Sequence, residues 1–240
     1  MKYRRHDLHG LLVVDKPLGL TSMGVVRRVR RAAGHCKTGH AGTLDPLATG
    51  VLICCLGKAT KTVDQLMGLT KTYQATVDLS AFTITDDVEG EREEIAVDHP
   101  PTEQAVREAL AQLTGTIEQT PPIYSAMKVE GRRAYALARQ GEDVKLKPRP
   151  VRIDAIDLQS YDFPRLKIVI TCGKGTYIRS LARQIGQSLS TGGHLADLRR
   201  LAVGPYTLEQ AVTLEDLPEP LNPEHLLPVP SAQNDFDASR

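Results

Sequence analysis

Residues 39–61 read GHAGTLDPLATGVLICCLGKATK, and the rest of the chain is organised around this stretch. Gly39, Gly42, Pro46 and Gly50 punctuate its first half, where no apolar period of a strand or a helix fits. That half is expected to be a loop. Residues 51–56 form a short unbroken apolar run, a length that suits a buried strand better than a helix. One carboxylate, Asp45, lies in the loop. The proline after it biases Asp45 towards extended backbone, and the nearby glycines let a ligand approach the main chain. A single acid on a stiff loop that feeds a buried strand is one way a scaffold presents a catalytic group. The same composition also describes an ordinary turn in which the Asp caps its own backbone.

The 240 residues suffice for one large domain or two small ones with a sizeable core. Net charge is close to zero, at +1, but its distribution is uneven. Residues 1–61 carry eleven Lys/Arg against three Asp, a local excess of +8, while residues 215–240 carry six acids and one Arg. A basic section beside the Asp45 loop is an electrostatic footprint for phosphate; a solvated helix face would show the same charges. Cys36, Cys54, Cys55 and Cys172 form no C-x-x-C pair. This argues against a zinc site or a disulfide framework and fits a reducing cytoplasm. No apolar run approaches the length of a membrane span, and residues 11–14 are too short for the core of a secretory signal. Trp is absent and aromatics are few, so base stacking would rest on a few Tyr or His side chains.

Residues 11–14 read as a strand closed by Asp15-Lys16-Pro17-Leu18-Gly19. Thr21 or Ser22 can cap a helix with Val25, Val26, Val29, Ala32 and Ala33 on one face, Arg27, Arg28, Arg30 and Arg31 largely off it, and Gly34 as its stop. Residues 59–69 fit a short amphipathic helix. Residues 72–79 alternate cleanly, with Tyr73, Ala75, Val77 and Leu79 on one face of a strand. Helices are further expected over 102–113, over 132–140 and after a Thr176 cap. Strands are expected over 151–158 and 166–172. Five prolines within residues 218–230 exclude a packed helix or central strand there.

The string GHAGTLDPLATGVL resembles the signature of the bacterial TruB-type pseudouridine synthases. Further segments carry the same resemblance: Lys71-Thr72-Tyr73, the run TPPIYSAMKVEGRRAYALARQG, CGKGTYIRSLA at 172–182 and GGHLADLRRLAVGPY at 192–206. It covers roughly residues 10–217. LSAFTITDDVEG at 79–90 departs from the family pattern, with Ser80 for Gly and Ile84 for Asp, and Gly193 stands where Ala is usual. The resemblance implies an α/β (α+β) pseudouridine-synthase fold, a mixed, mainly antiparallel sheet with flanking helices around a central cleft. It implies a catalytic domain over 1–217, followed by a Pro-rich and polar tail over 218–240 without a complete PUA domain. It also implies residue roles. Asp45 is the nucleophile, Arg179 its ionic partner, and Tyr73 lies against the target base, where it could also move a proton. Tyr177 packs beside that base and Leu198 offers it a backbone position. His40 takes the place of the extracted nucleotide, and Lys128, with Arg132 and Arg133, contacts phosphate.

The implied reaction breaks the N1–C1′ bond of a uridine, turns the base and joins C5 to C1′. It is neutral overall and calls for no cofactor, metal or nucleotide; the sequence shows no P-loop, no G-x-G-x-x-G and no metal-ligand cluster. The implied partner is tRNA, through its T-arm at uridine 55 by tRNA convention, bound by a cytoplasmic monomer with no membrane association. Two other readings stay open at this level. A non-catalytic RNA-binding protein would use the basic section without Asp45. A glycoside hydrolase would need two carboxylates flanking the bond, and the loop offers one.

Overall fold

The computed structural model describes residues 8–124, 128–129, 132–133 and 146–230, with 128–129 and 132–133 described as backbone. The chain forms two compact units. The first runs to Tyr73 and resumes at Leu198, and the second spans Gln74–Asp197.

The first unit is built on β3 (Ala48–Leu56). It pairs antiparallel with β1 (Gly10–Lys16), with Leu12 opposite Cys54, and antiparallel with β2 (Thr38–Ala41), with His40 opposite Cys54. It pairs parallel with β12 (His194–Val203), with Leu198 beside Ala48. The unbroken apolar run follows from burial on both faces. Leu52, Cys54 and Leu56 join Leu12 and Val14 in one core, while Val51, Ile53 and Cys55 join Leu11 and Val13 in another. Helix α1 (Ser22–Ala32) covers the first of these with Val25, Val26, Val29 and Ala32. Valines are poor helix formers, so this packing, at roughly 1.5–3 kcal/mol per buried side chain, holds the helix more than propensity does. Thr21 caps it by accepting from the Gly24 N–H at 3.0 Å. The chain leaves it through Gly34 and His35, both at positive φ.

Local composition misplaces the loop. Residues 38–41 are a strand, so the loop shrinks to residues 42–47 and β3 begins three residues earlier than its apolar run. The main-chain groups of residues 53–56 on the side away from β1 need partners, and β2 supplies them. Gly50, at φ +101, sits where β3 meets β12; a Cβ there would lie 2.2 Å from the Arg200 carbonyl oxygen. Residues 59–69 split into a 3₁₀ turn (Gly57–Thr62) and α2 (Val63–Gly68). Residues 218–230 hold only a 3₁₀ turn, Pro223–His225. They are tied to the unit by Leu221 N–H to Ala32 O at 2.9 Å and by reciprocal bonds between Leu11 and Leu227.

The second unit takes the strand order β4 (Lys71–Asp78, from Gln74 onward), β11 (Arg165–Cys172), β10 (Arg149–Asp162), β7 (Gly115–Gln119). The pairings of β10 with β11 and with β7 are antiparallel. Two hairpins stand apart, β5 (Ala81–Thr83) with β6 (Arg92–Glu94) and β8 (Lys128–Val129) with β9 (Arg132–Arg133). Arg132 and Arg133 are therefore strand rather than the start of a helix; residues 134–140 lie outside the described residues. Helix α3 (Glu103–Gln112) falls within the expected span 102–113, and Thr102 caps it by accepting from the Ala105 N–H at 3.2 Å. Helix α4 (Ile178–Leu189) buries Ile178, Leu181, Ala182 and Ile185. Its N-cap is Tyr177, not Thr176, whose hydroxyl instead donates back to Gly173 O at 3.3 Å. Gly193 faces α4 so closely that a Cβ would lie 2.4 Å from Ala182 O, so an Ala at this position would force the main chain to shift.

Candidate active site

The Asp45 loop is fixed at several points within the first unit. The Ser22 hydroxyl donates to Leu44 O at 2.9 Å and accepts from Leu44 N–H at 2.8 Å. Gly19 N–H donates to Pro46 O at 2.8 Å, and Ala48 N–H to Asp45 O at 3.1 Å. Lys16, fully buried at the end of β1, donates its ammonium to Pro17 O, Leu20 O and, at 3.4 Å, Pro46 O. Burial lowers the Lys16 pKa from 10.5 to about 8, with the Asp45 charge opposing and the Arg200 charge adding to the fall. Arg200, 1% exposed, donates to Val51 O at 2.7 Å and Gly42 O at 3.2 Å. The half-buried Asp45 thus sits on a loop held from α1, β1 and β12.

Three further expected residues belong to this unit. His40 lies on β2, half-buried, its Nδ1 enclosed without a hydrogen-bond partner among the described residues. Burial first, then the Arg200 charge, lowers its pKa, and a hydrogen bond involving Gly42 opposes them. His40 is therefore a neutral ring at pH 7, which suits packing better than proton transfer. Leu198 is buried on β12 beside Ala48, three residues beyond Asp45. Tyr73 points to the buried face of β4 and is 9% exposed.

In the second unit the first turn of α4 gathers the polar groups. The Arg179 side chain is buried and bonds to the Asp87 carboxylate at 3.2 Å, Thr85 O at 3.3 Å and Tyr124 O at 2.9 Å. Asp87 is oriented in turn by the Thr85 hydroxyl at 2.5 Å and the Glu89 N–H at 3.0 Å. Tyr177 N–H donates to the buried Gln119 Oε1 at 2.7 Å, and the Arg149 guanidinium lies 5.4 Å from the Tyr177 ring centre. Lys128 opens β8, and its side chain lies outside the described atoms.

The departures in 79–90 are accommodated. Ser80 binds Asp78 Oδ1 through its N–H at 2.9 Å and its hydroxyl at 2.5 Å. Burial alone would raise the Asp78 pKa; these bonds and the Arg165 charge hold it below its ordinary value. Ile84 is 62% exposed and takes no part in holding Asp87. Composition did not single out Lys16, Arg200 or Asp87. The signal available was that each lies within a quoted segment, Lys16 in 15–19, Asp87 in 79–90 and Arg200 in 192–206.

A family model described as TruB family pseudouridylate synthase (N terminal domain) matches residues 30–178, and one described as tRNA pseudouridylate synthase B C-terminal domain matches 179–227. The chain is 52% identical over 220 residues to the tRNA pseudouridine synthase B of Arthrobacter sp. (strain FB24), covering 89% of this chain and 72% of that protein. It is 47% identical over 222 residues to the namesake of Phocaeicola vulgatus, covering 90% and 94%. Among solved structures, the Cbf5-Nop10-Gar1 complex contains a chain that superposes with a TM-score of 0.69 at 30% identity. The match covers 88% of this chain and about half, 54%, of that one.

Proposed function

This chain belongs to the TruB family of pseudouridylate synthases, and we propose that Asp45 performs its reaction, the isomerisation of a tRNA uridine to pseudouridine, at uridine 55 of the T-loop. The observation that supports this role is the anchoring of the signature loop. Ser22, Lys16 and Arg200 hold the main chain on either side of Asp45, so the backbone that carries the carboxylate has little freedom to move.

In this reading Asp45 attacks the sugar–base junction or assists formation of a glycal, the N1–C1′ bond breaks, and the base turns and reattaches through C5 with loss of the C5 proton and gain of one at N1. Arg179 is the cation that keeps Asp45 ionised. Tyr73 and Tyr177 hold the base, Tyr73 can move a proton, and Leu198 supplies a main-chain contact. A base inside folded RNA must be extruded before it reacts; neutral His40 fills the space it leaves. Lys128 contacts phosphate, which positions RNA without reading its sequence. Residues 1–217 form the catalytic part, working as a cytoplasmic monomer on the T-arm by shape more than sequence, without a cofactor.

The test is pseudouridine mapping on unmodified tRNA incubated with the protein. Modification at uridine 55 is expected. Modification at another uridine would overturn the substrate site, and binding without modification would favour an RNA-binding protein.

A further inference from the structure

Arg183 lies one helical turn beyond Arg179 on α4, so the two guanidinium groups share a face of the helix. They bind adjacent residues of one turn. Arg179 bonds to Asp87, and Arg183 bonds to the carboxylate of Asp86. Asp86 is buried and adopts φ +61, a left-handed conformation that Asp tolerates better than most residues. That backbone turn sets where the next side chain, Asp87, points. The same two arginines also hold one neighbouring segment, Arg183 through Thr120 O at 2.9 Å and Arg179 through Tyr124 O at 2.9 Å. Between them, Ser180 donates to Thr120 O at 2.8 Å. Two of the contacts that orient Arg179, the Asp87 carboxylate and the Tyr124 carbonyl, are therefore on segments that Arg183 fixes.

Resting on the catalytic role given to Arg179 above, we propose that Arg183 is a positioning residue: paired with Asp86, it fixes the Asp86–Asp87 turn and residues 119–124 so that the Arg179 guanidinium keeps one orientation. A purely structural ion pair predicts something different. It would alter stability and leave the chemistry at Arg179 alone. Bonds to Asp86 and Thr120 use the planar fork of a guanidinium, which an ammonium does not reproduce.

The experiment is a double-mutant cycle read as kcat and KM for pseudouridine formation on tRNA, with thermal melting as the check on folding. Arg183→Gln alone leaves a buried carboxylate unpaired and costs stability. The main variant is therefore the double substitution Asp86→Asn/Arg183→Gln, which removes both charges and keeps a residue that accepts positive φ. Arg183→Lys is measured alongside, because it keeps the charge of the pair. The double substitution is expected to lower kcat about tenfold with KM changed less than about threefold, and Arg183→Lys to give an intermediate loss. In an Arg179→Lys background the same double substitution is expected to cost less than about twofold, because the orientation it disturbs is already lost. An unchanged kcat in the double and Lys variants would overturn the proposal, as would the same tenfold loss in both backgrounds. No turnover by the unmodified protein would instead overturn the functional reading, and this role with it.

Discussion

Asp45 is placed by its neighbours' main-chain bonds, so its side chain can be changed without dismantling the loop. Asp45→Asn keeps the shape and removes the negative charge. We expect pseudouridine formation to fall by at least about a thousandfold while tRNA affinity changes less than about threefold, as for a group needed only in the reaction. Turnover close to that of the unmodified protein would remove Asp45 as nucleophile. Lys16 gives a second, independent readout. Its pKa falls from 10.5 in the open chain to about 8 in the fold, so between those values the unfolded chain binds more protons. The Lys16 contribution to stability therefore rises with pH from about 8 to 10.5 and is flat below. The difference in unfolding free energy between the protein and its Lys16→Met variant, followed by denaturant titration, should increase across that window. A difference independent of pH would contradict the burial of a protonatable amine there.

At the scale of elements, two junctions carry the most constraint. One is the crossing of β3 and β12 at Gly50. Gly50→Ala brings a Cβ to 2.2 Å from the Arg200 carbonyl oxygen at a φ that L residues rarely adopt. The strands must separate, at a cost of roughly 3 kcal/mol or more. Melting of the variant within a degree or two of the unmodified protein would show that this junction yields easily. The other is the first turn of α4. Arg179→Ala leaves Asp87, whose side chain is 3% exposed, without its cation. Removing one partner of a buried pair costs about 3–5 kcal/mol, or roughly 10 °C in Tm for a chain of this size. Arg179→Lys should melt higher than Arg179→Ala and yet lose turnover more than binding, since the ammonium keeps the charge but not the fork. Equal melting of the two variants would mean that Asp87 does not depend on the cation.

Over the whole molecule the net charge of +1 conceals a basic section, residues 1–61 at +8, with Arg27, Arg28, Arg30 and Arg31 exposed on α1. About four phosphate contacts would make tRNA affinity fall about a hundredfold between roughly 50 and 200 mM salt, through counterion release. Binding that stays flat over this range would remove the electrostatic account of RNA association. The chain also returns on itself. The β12 segment from Leu198 lies beside β3, and Leu227 pairs with Leu11, so the first unit is closed by residues far along the chain from those they contact.

The sequence determined the features that depend on local pattern. The six-residue apolar run suited a buried strand better than a helix; the valine face and the cap at Thr21 or Ser22 of α1, the alternation of β4 and the helical span of α3 are each written in consecutive residues. Asp45 stood out as a candidate because the string that carries it is contiguous. Tertiary structure decided what depends on main-chain pairing and on residues far apart. Residues 38–41 became a strand because β3 needed a partner, against their glycine content. Lys16 and Arg200 came to the Asp45 loop, and Asp87 to Arg179, because buried charges and carbonyls must find partners in a dry interior. No spacing along the chain encodes a partner that lies in another segment of the fold.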